Sequence, residues 1–259
     1  MKLIKLLKKI KTYNPEADFD LIRKAYDYAS KLHEKGKRTS GEPYIEHPLH
    51  VAYILAELKF DTASIIASLL HDTIEDTPAS LNDIKEKFGE EITMLVDGVT
   101  KLKEIKYLEE RNVKFIRKML IASTKDIRVI IIKLADKLHN MRTISYLSSK
   151  KIQRICQETL DVYAPLAHKL GMFSIKSELE DLSFKHLHPD MYKKFKEKFG
   201  KKRTEREREI KRIRTIIERK LKENHLNAKI LSRPKSFYSV YKKMIKKKRS
   251  FEEIYDLIG

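Results

Sequence analysis

The chain has 259 residues, a formal net charge of +19, and only 7 Gly, 7 Pro and 1 Cys. The length suits one large or two small domains, and the scarcity of turn formers excludes a sandwich or barrel and favours long helices. The single Cys156 excludes a disulfide framework or thiolate-rich metal site and fits a reducing cytoplasm, where we place the chain.

At the N-terminus, Leu3, Leu6, Leu7 and Ile10 form an apolar stripe through a lysine-rich segment. This predicts a docked first helix, with a membrane-surface helix as the alternative. Residues 16–35 repeat the pattern with Phe19, Ile22, Ala25, Tyr26, Ala29 and Leu32. A loop rich in Gly, Pro and Ser follows, KGKRTSGEPYIEHP. Helical periodicity resumes at 49–58, 62–76, 80–88, 90–100, 110–122, 126–145 and 150–168, with Pro78 ending the segment that carries His71 near Asp76. Amphipathic helix continues from 170 to about 187, and a highly charged helix runs from 203 to 222 with an apolar stripe of Ile210, Ile213, Ile217 and Leu221. Then AKILSRPKSFYSVYKKM passes from strand-like alternation into helix, and FEEIYDLIG reads as the entry to a strand. Apolar runs such as Val129–Ile132 fall far short of the roughly 18–20 residues that a spanning helix needs.

The net charge is not spread evenly. Residues 193–249 hold 24 Lys/Arg against 6 Asp/Glu, whereas the other 202 residues are almost neutral. The basic segment calls for an anion, which polyphosphate, nucleic acid or an acidic partner would satisfy.

The segment HDTIED, His71 to Asp76, follows the apolar run Ile65–Leu70. At 100° per residue, His71, Asp72, Glu75 and Asp76 fall on one side of a helix. Burying three carboxylates there without counter-charge is prohibitive, and a metal ion would resolve it. A solvated acidic helix end, with Glu75 and Asp76 facing water, accounts for the same residues. A second segment, IIIKLADKLHNMRT, places Asp136, Asn140 and Thr143 as a polar stripe beside the apolar Ile131, Leu134, Ala135, Leu138 and Met141. An Asp in so apolar a helix needs a partner. His47, in YIEHPLHVA, is the third element.

The order His47, then His71-Asp72, then Asp136 resembles the HD metal-dependent phosphohydrolases. RTSGEPYIEHP, HDTIEDT, KLADKLHNMRT and YAPLAHKLGM resemble the RelA/SpoT alarmone enzymes over nearly the whole chain. The resemblance implies an all-α HD hydrolase at residues 1–160 and a helical connector at 161–200. After these, residues 201–259 would be the truncated start of a synthetase, an incomplete nucleotidyltransferase-like α/β segment. It implies hydrolysis of the 3′-pyrophosphate of ppGpp or pppGpp to GDP or GTP and pyrophosphate, with Mn²⁺ as cofactor. His47, His71, Asp72 and Asp136 match the metal ligands. Glu75 and Asp76 match the catalytic acidic pair. Arg38, Ser40, Asn140 and Thr143 match the guanosine pocket.

Arg233, Lys235, Ser239 and Lys243 match the synthetase's nucleotide-binding stretch, and Asp256 its first Mg²⁺ carboxylate. The chain ends before the rest of that sheet, so no synthesis is expected of it, and residues 225–259 are expected to lack a native partner. Two rival readings are a parent protein acting as an ATP:GTP 3′-pyrophosphotransferase, and a basic fragment binding RNA or the ribosome. Nucleic-acid or ribosome contact is otherwise expected only through parent domains that this chain lacks, and no membrane partner is expected. Beside the site, His139 is a candidate supporting residue, and Tyr44 either walls the pocket or packs.

Overall fold

A computed structural model describes residues 2–104, 126–228, 230 and 235–248. Among them the chain is helical, with a lone antiparallel bridge between Lys37 and Pro43 in the loop that follows the second helix. The all-α expectation for the hydrolase therefore holds. The helix expected at 110–122 and the terminal strand entry lie outside the described residues.

Helix α4 (Thr62–Leu70) lies at the centre, buried at every position from Ser64 to Leu70. Its sequence TASIIASLL is apolar all round, which a helix can be only when it is covered on every side. Asp61 caps its start, accepting the Ser64 amide at 2.9 Å. Around it pack α2 (Phe19–Leu32), α3 (Glu46–Glu57), α7 (Glu90–Glu104) and α8 (Arg128–Arg142). α1 (Leu3–Lys11) lies on α3 and buries Leu6, Leu7 and Ile10, so the N-terminal stripe is a docking face. α7 and α8 cross at Gly98, where a Cβ would stand 2.7 Å from a Val129 methyl carbon. Only glycine allows that approach.

The helix read across 62–76 breaks at its functional end. α4 stops at Leu70, and the single turn α5 (Thr73–Asp76) resumes after His71 and Asp72. Side-chain donors cause the break: His71 Nδ1 donates to the Ser68 carbonyl at 2.8 Å and Thr73 Oγ1 to the Leu70 carbonyl at 2.6 Å. Beyond α5, α6 (Leu81–Phe88) starts from a Ser80–Asp83 capping box.

After α8, α9 (Ser149–Glu158), a π-helical turn (Thr159–Tyr163) and α10 (Ala164–Lys169) form one unbroken run. Pro165 falls inside this run, directly after the π-helical turn, which accommodates its missing N–H. Cys156 in this run is fully buried, and burial pushes its thiol up to about 11, so it is core. α11 (Phe173–Leu187) then packs on α8, α9 and α10.

The expectation that 225–259 lacks a partner is corrected for its described helix. α13 (Phe237–Lys247) packs on α11 and on α12 (Pro189–Glu223). Phe184, Phe195 and Val240 are buried at this junction, and Phe184 stacks on Tyr241 at 4.8 Å. Asp181 accepts the Tyr238 amide at 3.1 Å, and Glu180 accepts the hydroxyls of Ser236 and Ser239. α12 is less covered, and Ile213, Ile216 and Ile217 are each more than two-fifths exposed.

Candidate metal centre and adjoining cleft

Three helices bring the His and Asp residues together. His47 sits in the first turn of α3, His71 and Asp72 form the junction of α4 and α5, and Asp136 lies in mid-α8. All four are at most 3% exposed. Ligand atoms of His47, His71 and Asp136 all lie within 4.8 Å of one another. His47 Nε2 is 3.2 Å from Asp136 Oδ1 and 3.5 Å from Asp72 Oδ2, and His71 Nε2 is 3.3 Å from Asp72 Oδ1.

The second nitrogens of the imidazoles fix what the first can do. His71 Nδ1 donates to a carbonyl, so Nε2 of the neutral ring carries a lone pair. That atom is buried and has no hydrogen-bond partner. An orphaned lone pair facing carboxylate oxygens is what a bound cation would satisfy. His47 Nδ1 meets His139 Nδ1 at 2.7 Å, so one of the two rings supplies the proton between them. Burial lowers the pKa of both rings, that of His139 to about 2 with the help of neighbouring His47 and His50, which favours neutral imidazoles. Burial works to raise the Asp136 carboxyl, but Lys133, then the contact with His47, outweighs it and holds the group well below the usual carboxylate range. Two imidazoles with carboxylate suit a borderline-to-hard divalent ion, so the residues present fit one.

The carboxylates of the expected acidic pair do not share the buried face. Asp72 turns inward, whereas Glu75 and Asp76 are exposed at the rim. The difference falls within α5 itself: Asp72 holds the N-cap position at its buried start, and Glu75 and Asp76 stand at its exposed far end. Tyr44 joins the two groups of acids: its hydroxyl lies 2.6 Å from Asp76 Oδ2 and 3.0 Å from Asp72 Oδ2. Burial, then the charge on Asp72, pushes its phenol far up, so it stays protonated.

Asp136 also opens onto a cleft of about 620 Å³ lined by Arg38, Thr39, Ser40, Asn140 and Thr143. All four expected pocket residues therefore lie on one cleft. Arg38 Nη2 donates to Asn140 Oδ1 at 2.7 Å, and Asn140 Nδ2 donates to Asp136 Oδ1 at 2.6 Å. Arg38 Nη1 is buried without a partner. The Thr143 hydroxyl bonds back to carbonyls at the end of α8, and that of Ser40 donates to Glu42.

Sequence reasoning missed Lys133, Lys137, Arg154 and Tyr163 on the same cleft. Lys133 Nζ donates to Asp136 Oδ2 at 2.8 Å. Lys137 pairs with Glu158 at 3.3 Å, and its ammonium lies 4.4 Å from the centre of the Tyr163 ring. The available signal was two lysines flanking Asp136 inside a core helix. The synthetase-like residues Lys235, Ser239 and Lys243 lie at the start of α13 or along it, and Ser239 is bonded to Glu180 and Lys176. Arg233 and Asp256 lie outside the described residues.

A family model described as HD domain matches residues 25–173. The chain belongs to the HD domain family. Such a domain implies a divalent metal, in keeping with the buried cluster. Over nearly its whole length this HD chain is homologous to the RelA/SpoT family. It is 48% identical over 255 residues to the GTP pyrophosphokinase of Myxococcus xanthus, covering 96% of this chain and 34% of that protein. It is 45% identical over 250 residues to the bifunctional (p)ppGpp synthase/hydrolase SpoT of Escherichia coli K12, covering 96% of this chain and 36% of that one. The chain thus spans about a third of the length of these curated relatives. Among solved structures, it resembles a metazoan ortholog of SpoT that hydrolyses ppGpp. The TM-score is 0.51 at 27% identity, over 65% of this chain and 96% of that one. Among the described residues no helix is long and apolar enough to cross a membrane.

Proposed function

We propose that this chain removes the 3′-pyrophosphate of ppGpp or pppGpp, releasing GDP or GTP and pyrophosphate. The observation that carries this reading is the orphaned Nε2 of His71, buried among acidic ligands of which Asp136 also lines a cleft with arginine and lysine. His47, His71, Asp72 and Asp136 are the residues that would hold the ion, which we take to be Mn²⁺. Bound there, it supplies Lewis-acid polarisation of a phosphoryl group and a nucleophile at neutral pH.

The chain's own residues do the rest. Arg38, with one nitrogen tied to Asn140 and another unpaired, is fixed to donate to the nucleotide or lie flat on its base. Thr143 and Ser40 border the same space and offer hydroxyls. Lys133 and Lys137 add positive charge on the floor, where the phosphates lie, and the low dielectric strengthens each contact. At the rim, Glu75 takes a proton from the attacking water, and Asp76 assists. An exposed carboxylate suits that work because it can pass the proton on to solvent.

The test is direct. Incubation with ppGpp and Mn²⁺ yields GDP and pyrophosphate, and chelation of the metal abolishes the reaction. Release of orthophosphate from the 5′ side, or turnover unaffected by a chelator, contradicts the reading.

The relatives named GTP pyrophosphokinase favour a second role, in synthesis. Against it, Glu180 already occupies the Ser236 and Ser239 hydroxyls, where a phosphate would have to compete. We expect no ppGpp from ATP and GTP with this chain, and an assay of those two nucleotides settles between the readings.

A further inference from the structure

Asp76 is exposed, and an exposed carboxylate ordinarily samples several rotamers. Here it is held, because the Tyr44 hydroxyl reaches both it and the buried Asp72. We propose that Tyr44, clasped between His33 and Gly36, is a positioning residue that fixes Asp76 relative to Asp72 and so sets turnover. This rests on the hydrolase reading of the site.

The clasp has three parts. The Tyr44 ring stacks on the His33 ring, with centroids 4.5 Å apart and planes 20° apart. His33 is buried and its Nε2 has no hydrogen-bond partner, so the stack does much of the work of placing that ring. The Tyr44 amide donates to the Gly36 carbonyl at 3.0 Å, which anchors its backbone to the far side of the loop. Gly36 lies so close that a Cβ there would stand 3.1 Å from Tyr44 Cβ and 3.2 Å from the His33 carbonyl. A side chain there presses on both, so that the tyrosine or the His33 carbonyl must give way slightly.

The phenol is thus held in place before substrate arrives. A tyrosine hydroxyl has one proton to donate and here faces two carboxylates. The shorter contact assigns that proton to Asp76. Asp72 then faces the phenol oxygen across 3.0 Å, an arrangement that positive charge beside Asp72 relieves. Filling the metal centre and orienting Asp76 are therefore coupled through one oxygen atom. Outer hydrogen-bond partners of metal-ligating carboxylates typically contribute 10–100-fold to metal affinity or activity.

Tyr44→Phe deletes only the oxygen and keeps the stack on His33. In the full chain we expect kcat at saturating Mn²⁺ to fall about 10–100-fold. KM for ppGpp should stay within about two-fold, and Mn²⁺ affinity, measured by calorimetry without nucleotide, should weaken about ten-fold. Combined with Asp76→Ala, Tyr44→Phe should cost no further kcat at saturating Mn²⁺, since no carboxylate is left at 76 to orient. Gly36→Ala should lower kcat in the same direction while the hydroxyl remains.

A raised KM with kcat and Mn²⁺ affinity unchanged would make Tyr44 a pocket wall and overturn the proposal, as would additive losses in the double variant. Failure of the unmutated chain to hydrolyse ppGpp would instead strike the hydrolase reading. The Mn²⁺ comparison would still decide the clasp: unchanged affinity in Tyr44→Phe rejects it.

Discussion

Helices α8 and α12 are both rich in charge and use it in opposite ways. α8 buries Lys133, Asp136, Lys137 and His139, each with a partner: Lys133 with Asp136, Lys137 with Glu158, and His139 with His47. α12, at 35 residues, carries exposed pairs such as Arg214–Glu218 and Arg219–Glu223, one helical turn apart. Taking an ion out of water costs several kcal/mol, whereas an exposed pair returns about 0–1 kcal/mol. A chain retains buried charge only where partners or a ligand repay that cost. So the candidate site lies in the nearly neutral part of the chain, and none of the residues that form it comes from the segment carrying most of the net charge.

The sharpest way to break this comparison is to remove one member of the buried set. Asp136→Asn deprives Lys133 of its carboxylate and the metal centre of a ligand. Removing one partner of a buried pair costs about 3–5 kcal/mol. We expect a clear drop in melting temperature, no further stabilisation by Mn²⁺, and loss of hydrolysis to background. Retained Mn²⁺ stabilisation would show that Asp136 is not a ligand.

Much of the buried set was legible from residue order. His47, His71-Asp72 and Asp136 stand in apolar surroundings, and each charged group there needs an explanation. The link from Arg38 through Asn140 to Asp136 was not legible as a bond, because it joins residues 102 apart in sequence. The wheel argument misplaced Glu75 and Asp76 because it took the core helix to run on to Asp76, whereas α5 is a single turn whose far end faces water. Helix α13 was read as lacking a partner because the resemblance assigns it to a domain whose sheet this chain ends before; its cover comes instead from Phe184 and Phe195, whose periodicity does not say what they touch.

Glu75→Gln tests the rim against the buried floor. It keeps size and fold, so Mn²⁺ stabilisation should persist while kcat falls about 10²–10⁴-fold. Near-normal turnover would move the role of base to another carboxylate.

A smaller effect is expected at the junction of α11 and α13. Burial raises the Asp181 carboxyl from 3.8 to about 7, against the pull of the Tyr238 amide. The folded chain therefore holds this proton more tightly than the unfolded one. The stability it contributes is full below the unfolded value and is lost as pH rises through about 7. Asp181→Asn removes the titration, so its melting temperature relative to the unmodified chain should rise between about pH 4 and 7 and level off above that. A difference independent of pH would reject this. Arg219→Ala, on exposed α12, should change stability by less than about 0.5 kcal/mol and leave hydrolysis untouched. A larger loss would mean that the exposed charge does structural work after all.

The central claim is that the buried charge is a metal centre. Anomalous diffraction from crystals grown with Mn²⁺ tests it most directly. The account predicts one strong peak within coordination distance of His47, His71 and Asp136, with Asp72 completing the set. Absence of that peak, with the same side chains pointing apart, would contradict it.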